Sequence, residues 1–369
     1  MTLIGAAALT AIQRHVQTRS VDKWNRRRRS RIDRLITGAA PCALRYVSGM
    51  TSRRLIGKRG LSVSPICLGG NVFGWTADEE TSFAVLDAFV AAGGNFIDTA
   101  NIYSAWVPGN AGGESEAIIG RWMAARGSRD DVVIATKVGM QGGPDQPKGL
   151  TRDKIRRGVE ESLGRLKTDR IDIFYAHEDD AETPLSETMA AFDELVNEGT
   201  IGVVAASNYT ASRLREALAA SDEHGYARYE LLQPHYNLME REAYEGELAQ
   251  LCVDEGITVA PYFALARGFL TGKYRRDQPL PATPRAIGIE KDYLNDRGYA
   301  VIDALDDVAK GHGARTGEVA LAWLLAKPAV VAPIASATNV QQVTELATAA
   351  GLSLGTAEVA VLDQASAVA

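Results

Sequence analysis

The sequence predicts an α/β chain closed into a (β/α)8 barrel, a TIM barrel, with an N-terminal β-hairpin. Three observations carry the prediction. From Met50 onward, short apolar runs alternate with amphipathic stretches, giving eight strand–helix units over about 320 residues. Such alternation implies parallel strands joined by helical crossovers. No stretch supplies a second, separate core, and eight units around one core favour closure over an open doubly wound sheet.

The elements follow in order. Arg54–Ile56 and Leu61–Val63 flank Gly57–Gly60 as a hairpin. Ile66–Gly70 is the first barrel strand, and Glu79–Ala92 the first helix, with Thr76–Ala77–Asp78–Glu79 at capping-box spacing. Asn95–Ala100 is a strand and Glu114–Ala125 a helix. Val132–Val138 is strand-like in its β-branched content. In Lys154–Leu166, the residues Ile155, Val159, Leu163 and Leu166 share one helical stripe. Ile171–His177 follows as a strand, then a helix capped by Thr183 with Pro184 at its first position. Ile201–Ser207, Glu230–Tyr236 and Thr258–Ala264 are further strands, and Val330–Ser336 is the last, before a helix at Asn339–Ala350. One connection is long, from Arg267 to about Asn295, a length that usually accompanies function.

Composition narrows the function classes. The chain has 369 residues, 46% hydrophobic and 23% charged, as expected of a soluble globular protein. A net charge of −6 argues against a nucleic-acid binder. Cys42, Cys67 and Cys252 are odd in number and widely separated, with neither a disulfide framework nor metal-ligand spacing. A reducing, cytoplasmic setting without a metal is expected. No run reaches the roughly 18 apolar residues of a membrane span. Residues 1–49 hold ten Lys/Arg against two Asp/Glu, a net of +8, with the run Arg26–Arg29 at their centre. A basic arm for a membrane surface, a nucleic acid or targeting is one reading. A secretory signal fits poorly, because the apolar Leu3–Ile12 precedes the basic run. The expectation is an extension without fixed structure, followed by a barrel domain over 50–369.

In a barrel of this kind the chemistry sits at the carboxyl ends of the strands. The polar residues there are Asp98 with Tyr103 just beyond it, then Lys137, His177, Ser207 with Asn208, Gln233 and Tyr262. Lys137 ends the apolar run Val132–Thr136 and so points into the barrel mouth. A buried ammonium needs a carboxylate, which Asp98 on the adjacent strand can supply. A nearby cation would lower the pKa of Tyr103, making it a proton donor near neutral pH, and His177 could hydrogen-bond the same carbonyl oxygen. On spacing alone, Asp98–Lys137 is equally a structural ion pair.

The segments Phe96–Tyr103, Ile134–Lys137 and Asp172–His177, together with Gly113–Glu116 and Gly120, resemble the signatures of the aldo-keto reductase superfamily. The similarity runs in order from about Arg54 to the C-terminus. The resemblance implies an NADP-dependent oxidoreductase that reduces an aldehyde or ketone, possible substrates including sugar-like or xenobiotic carbonyls. Tyr103 is then the general acid, Lys137 paired with Asp98 depresses its pKa, and His177 orients the carbonyl. Trp75 and Trp106, in the loops that vary across the family, are with Tyr103 and His177 the candidate substrate contacts, and packing within a surface loop is an equal reading of Trp106.

The cofactor is read separately. Gly69–Gly70–Asn71–Val72–Phe73–Gly74 lacks the spacing of a Rossmann fingerprint. The resemblance implies a dinucleotide lying across the barrel mouth, against Gly69, Gly70, Asn71 and Asp98. Ser207, Asn208 and Gln233 match residues that grip the carboxamide, and Tyr262 the aromatic that stacks on nicotinamide. Relatives often read Ser-Pro-Leu-Ala next, where this chain has Phe263, Ala264, Leu265 and Ala266, followed by Arg267 and Gly268. Lys273 and Arg285 fall where relatives clasp the phosphates, and Ser336, Thr338, Gln342 and Glu345 match contacts at the adenosine end. Leu346 replaces a usual Asn, which puts the adenine contact in doubt. The two cations favour NADPH, with NADH as the alternative.

Two rivals stand beside this reading. Potassium-channel β-subunits resemble the fold, bind the same cofactor and act through a partner, but usually carry Asn where this chain has His177. A cofactor-free barrel isomerase is the other. The expected partner is a small carbonyl compound, without nucleic acid or membrane, and monomer and homo-oligomer both stay open.

Overall fold

The computed structural model describes residues 49–58, 60–142 and 148–367. The expected basic extension therefore lies outside the described residues, apart from Gly49. Gly49 packs on Gly351 so closely that a Cβ would come within 2.5 Å of the Gly351 nitrogen.

The chain begins with the hairpin β1 (Arg54–Ile56) and β2 (Leu61–Val63), paired antiparallel with Arg54 opposite Val63. The barrel strands are β3 (Cys67–Gly69), β4 (Phe96–Asp98), β5 (Val133–Val138), β6 (Ile171–Ala176), β7 (Ile201–Ser207), β8 (Tyr229–Gln233), β9 (Thr258–Val259) and β10 (Ile334–Ala335). They form one parallel sheet in the order β10-β3-β4-β5-β6-β7-β8-β9. The last segment also reaches β9. Val331 N donates to Val259 O at 2.8 Å and Ile334 N to Pro261 O at 2.9 Å, which closes the ring. This is the expected (β/α)8 barrel.

Helices α1 (Glu79–Ala91), α2 (Glu114–Arg126), α3 (Arg152–Leu166), α4 (Leu185–Glu198), α5 (Ala211–His224) and α6 (Glu247–Glu255) follow the strands from β3 to β8. Inside the ring, Phe96, Val133, Ile173, Tyr175, Val203 and Leu231 pack as an apolar filling, and Ile56 and Val63 of the hairpin join it. Alternate strand residues face outward into a second core shared with the helices, anchored by Phe89, Trp122, Phe174, Phe192 and Trp323.

Several boundaries differ from expectation. Helix α1 is capped by Asp78, whose carboxylate accepts from Thr81 N at 2.9 Å, so Thr76 does not begin a capping box. Pro184 is the N-cap of α4 rather than its first helical residue, with ψ at 133°. Thr183 instead donates to Asp180 at 2.6 Å. The seventh and eighth strands are two residues each, because single bridges and loop hydrogen bonds carry the rest of their pairing. The long connection is structured, with tight turns over Ala266–Thr271 kinked at Arg267 and Gly268, and the helix α7 (Ala286–Tyr293). Two helices, α8 (Asp296–His312) and α9 (Thr316–Leu325), precede β10, and α10 (Val340–Gly351) is followed by the unexpected α11 (Thr356–Ala365). Among the described residues no single helix is long and apolar enough to cross a membrane.

Candidate active site

The mouth of the barrel holds a cavity of about 1020 Å³. Asp98 and Tyr103 line one wall of it, with Lys137 at the end of β5 buried against them. Parallel register sets Asp98 beside Ala135, two residues before Lys137, so both side chains converge on the barrel interior. Lys137 is wholly buried, and its ammonium donates to both Asp98 oxygens at 2.7 Å, to Thr99 O at 2.8 Å and to the Tyr103 hydroxyl at 2.9 Å. The Tyr103 hydroxyl donates in turn to Asp98 Oδ2 at 3.1 Å. The ammonium also lies 4.6 Å from the Tyr103 ring centre and 5.6 Å from that of Tyr175, between two electron-rich faces.

The second helix explains its own glycine and acidic residues. A Cβ at Gly120 would sit 2.2 Å from Arg165 O, so only glycine lets α2 lie against the end of α3. Glu116 is buried, accepts from Thr136 Oγ1, and pairs with Arg165 at 2.6 Å, which ties α2 to β5 one residue before Lys137. Ser115 donates to Gly70 O and accepts from Thr99, both at 2.8 Å, locking the ends of β3 and β4 together.

The electrostatics correct one expectation. Tyr103 was expected to have a depressed pKa, but its phenol stands well above the ordinary value. Burial is the main cause, and the charge and hydrogen bond of Asp98 add to it. The Lys137 ammonium, in contact with the hydroxyl, is placed to stabilise the phenolate as the proton leaves. Burial also pulls the Lys137 ammonium below its usual value, opposed by Asp98. His177 is pushed well below 6.5, first by burial and then by Lys137, so its imidazole is neutral. Its Nδ1 is buried without a hydrogen-bond partner among the described residues, and the residue lines the cavity.

The structure brings most of the predicted cofactor residues to this cavity. Gly69, Asn71, Ser207, Asn208, Gln233, Tyr262, Phe263, Ala264, Leu265, Arg267, Gly268, Lys273, Arg285, Ser336, Thr338, Gln342 and Glu345 line it. Gly70 and Ala266 do not. Gly70 faces Ser115 and the Asp98 carbonyl, and Ala266 is buried in the outer core. Gln233 has a tie that its spacing did not show: its amide donates to Asp98 Oδ1 at 2.9 Å, linking β8 to the buried ion pair. Arg267 is not free, since it pairs with Asp292 and covers the Tyr293 ring.

The cavity suits an extended polyanion on its own terms. Lys273 and Arg285 line it with no carboxylate partner among the described residues, and burial lowers the pKa of both. Ala266, Arg267 and Gly268 all have positive φ, a run that turns the backbone sharply beside those cations. A Cβ at Gly69 would meet Ser336 Oγ at 2.8 Å, so glycine keeps the rim open there. Arg315, which the sequence reading missed, also lines the cavity and is paired with Glu345. It sits just ahead of α9, where no strand end drew attention to it. Trp75 and Trp106 form the outer wall, edge to face at 5.6 Å, and Trp106 lies 6.1 Å from Tyr103. Among the described residues no cluster of side chains could hold a metal ion.

Comparison with known proteins identifies the family. The model of the Aldo/keto reductase family matches residues 65–367. An uncharacterized oxidoreductase, YrpG, of Bacillus subtilis is 37% identical over 81% of this chain and 91% of its own length. Norsolorinic acid reductase B of Aspergillus parasiticus is 34% identical over 89% of this chain and 85% of its own. A probable voltage-gated potassium channel subunit beta of Arabidopsis thaliana is 32% identical over 79% and 88%. The chain belongs to the aldo/keto reductase family, a family of oxidoreductases that use nicotinamide dinucleotides.

Proposed function

We propose that this protein reduces an aldehyde or ketone to an alcohol with NADPH, in the cytoplasm, with Tyr103 as the general acid. The observation that carries the reading is the contact set of Asp98, Lys137 and Tyr103 at 2.7–3.1 Å, at the base of a cavity large enough for a dinucleotide and a substrate. When bound, the reduced nicotinamide supplies a hydride to the carbonyl carbon. Tyr103 gives its proton to the carbonyl oxygen. Lys137, already in contact, stabilises the phenolate left behind, and Asp98 fixes the ammonium in place. Neutral His177 donates a hydrogen bond to the same oxygen. Trp75 and Trp106 border the substrate.

On the cofactor side, Lys273 and Arg285 would hold the phosphates, and Tyr262 would stack on the nicotinamide. NADPH and NADH part at the Arg315–Glu345 pair. A 2′-phosphate would engage Arg315, whereas Glu345 suits a free ribose hydroxyl.

The test is NADPH consumption, followed by its absorbance, across a panel of aldehydes, ketones and sugars, in the wild type and in Tyr103→Phe. Loss of the proton donor should cut turnover by about 10² to 10⁴ while NADPH affinity stays within about twofold. Unchanged turnover in the variant would remove Tyr103 from the role. The similarity to a named potassium channel subunit supports a second reading, a cofactor-binding regulatory subunit. That reading requires very slow consumption with every carbonyl offered.

A further inference from the structure

Behind the Tyr262 wall lies a side chain that the proposed reaction does not use. His235 lies flat against Tyr262, with ring centres 5.0 Å apart and planes 13° from parallel. The two residues form a parallel bridge, with Tyr262 N donating to Pro234 O at 3.0 Å, so the backbone fixes their stacking. Phe263 closes the edges of both rings, 5.5 Å from His235 and 5.2 Å from Tyr262, and does so from a left-handed backbone at φ +51°. His235 Nε2 is buried without a hydrogen-bond partner among the described residues. A buried imidazole nitrogen left unsatisfied costs stability. Glu240 and Arg267 act on it with opposite sign, and burial keeps it neutral.

Tyr262 is held at its tip as well. Its hydroxyl donates to Asn208 Oδ1 at 2.9 Å, and Asn208 donates to His177 O at 2.9 Å. The ring is thus fixed from behind by His235 and at its end by Asn208. Tyr262 lines the cavity and His235 does not, so the imidazole reaches a ligand only through the tyrosine.

We propose that His235 is a positioning residue for the nicotinamide, the rear layer of a three-ring stack in which Tyr262 is the middle layer and the cofactor ring the front. The inference rests on the reading of Tyr262 as the nicotinamide platform. A plate ordered before the ligand arrives loses less freedom on binding, which strengthens affinity without touching the reacting atoms. An aromatic neighbour at this distance contributes on the scale of one stacking pair.

The experiment uses the full chain and NADPH itself. Binding is measured by quenching of intrinsic fluorescence, turnover with one accepted aldehyde, and folding by thermal melting, for the wild type, His235→Ala, His235→Phe and His235→Gln. His235→Ala should weaken NADPH binding about 3- to 10-fold and leave kcat within about twofold. His235→Phe, which keeps a flat ring, should return the affinity to within about twofold of the wild type. A folded His235→Ala protein that binds NADPH as the wild type does overturns the proposal. If His235→Ala does not fold, the pair Phe and Gln decides: equal affinities overturn the proposal, and tighter binding by Phe supports it. A wild-type protein that binds neither NADPH nor NADH sinks the cofactor reading itself, which is a different result from a wild type that binds and a variant that matches it.

Discussion

Lys137, buried behind Asp98 and Tyr103, and Lys273 with Arg285, which line the cavity, are cations that the fold treats in opposite ways. Lys137 is completely buried and satisfied from within, by two carboxylate oxygens, a carbonyl and a phenol. Lys273 and Arg285 are only partly covered and rest on aromatic faces, Lys273 at 5.5 Å from the Tyr274 ring and Arg285 at 5.2 Å from Trp75. A charge removed wholly from water must be neutralised by the fold itself, or the fold fails. A charge at a rim can wait for an anion that arrives later. The buried corner is therefore set before any ligand binds, and the rim is completed by one.

Lys137→Met should break that contrast most severely. It strands Asp98 as an unpaired buried carboxylate, so stability should fall by about 3–5 kcal/mol and reduction should vanish. Denaturant unfolding and NADPH consumption measure the two effects, and a variant as stable as the wild type would show that the pair is not what neutralises this corner. Lys273→Ala and Arg285→Ala should do the reverse. Each should leave unfolding within about 0.5 kcal/mol of the wild type, as expected for a rim side chain without a buried partner. Each should also weaken NADPH by about tenfold, with a flatter dependence on salt. Equal affinity at low salt would move the phosphates elsewhere.

The smallest effect sharpens the comparison through pH. Burial, and then the Lys137 charge, hold His177 neutral, below its ordinary value of 6.5. Below that pH the unfolded chain binds a proton that the folded His177 refuses, so its contribution is complete above about pH 6.5 and is lost as pH falls. His177→Asn should remove a slope of at most about 1.4 kcal/mol per pH unit from the stability curve on the acid side. An unchanged slope would show that the imidazole is not held neutral by this corner.

The sequence made the buried corner legible because Asp98 and Lys137 stand at the ends of adjacent strands, where the barrel dictates direction, and Tyr103 follows just beyond one of them. Lys137 closing an apolar run could only face inward, and it needed a carboxylate. The same logic placed His177, Asn208 and Tyr262 around one cavity. It did not find Arg315, which precedes a helix and reaches the cavity only through the packing of α8, α9 and α10. Gly70 and Ala266 do not line the cavity although their neighbours on the chain do, because Gly70 faces Ser115 and Ala266 is buried in the outer core. The short seventh and eighth strands were read as longer because apolar runs persist beyond the last ladder hydrogen bond.

The order of strands, the closing of the barrel and the identity of the ion-paired corner were settled by the amino-acid sequence, since alternation and burial fix which side chains face which way. The direction of the Tyr103 pKa, the tie from Gln233 to Asp98 and the imidazole behind Tyr262 were decided only by the tertiary structure. Each depends on contacts between strands far apart in the chain, and on water excluded by all of them together, which no local stretch of sequence specifies.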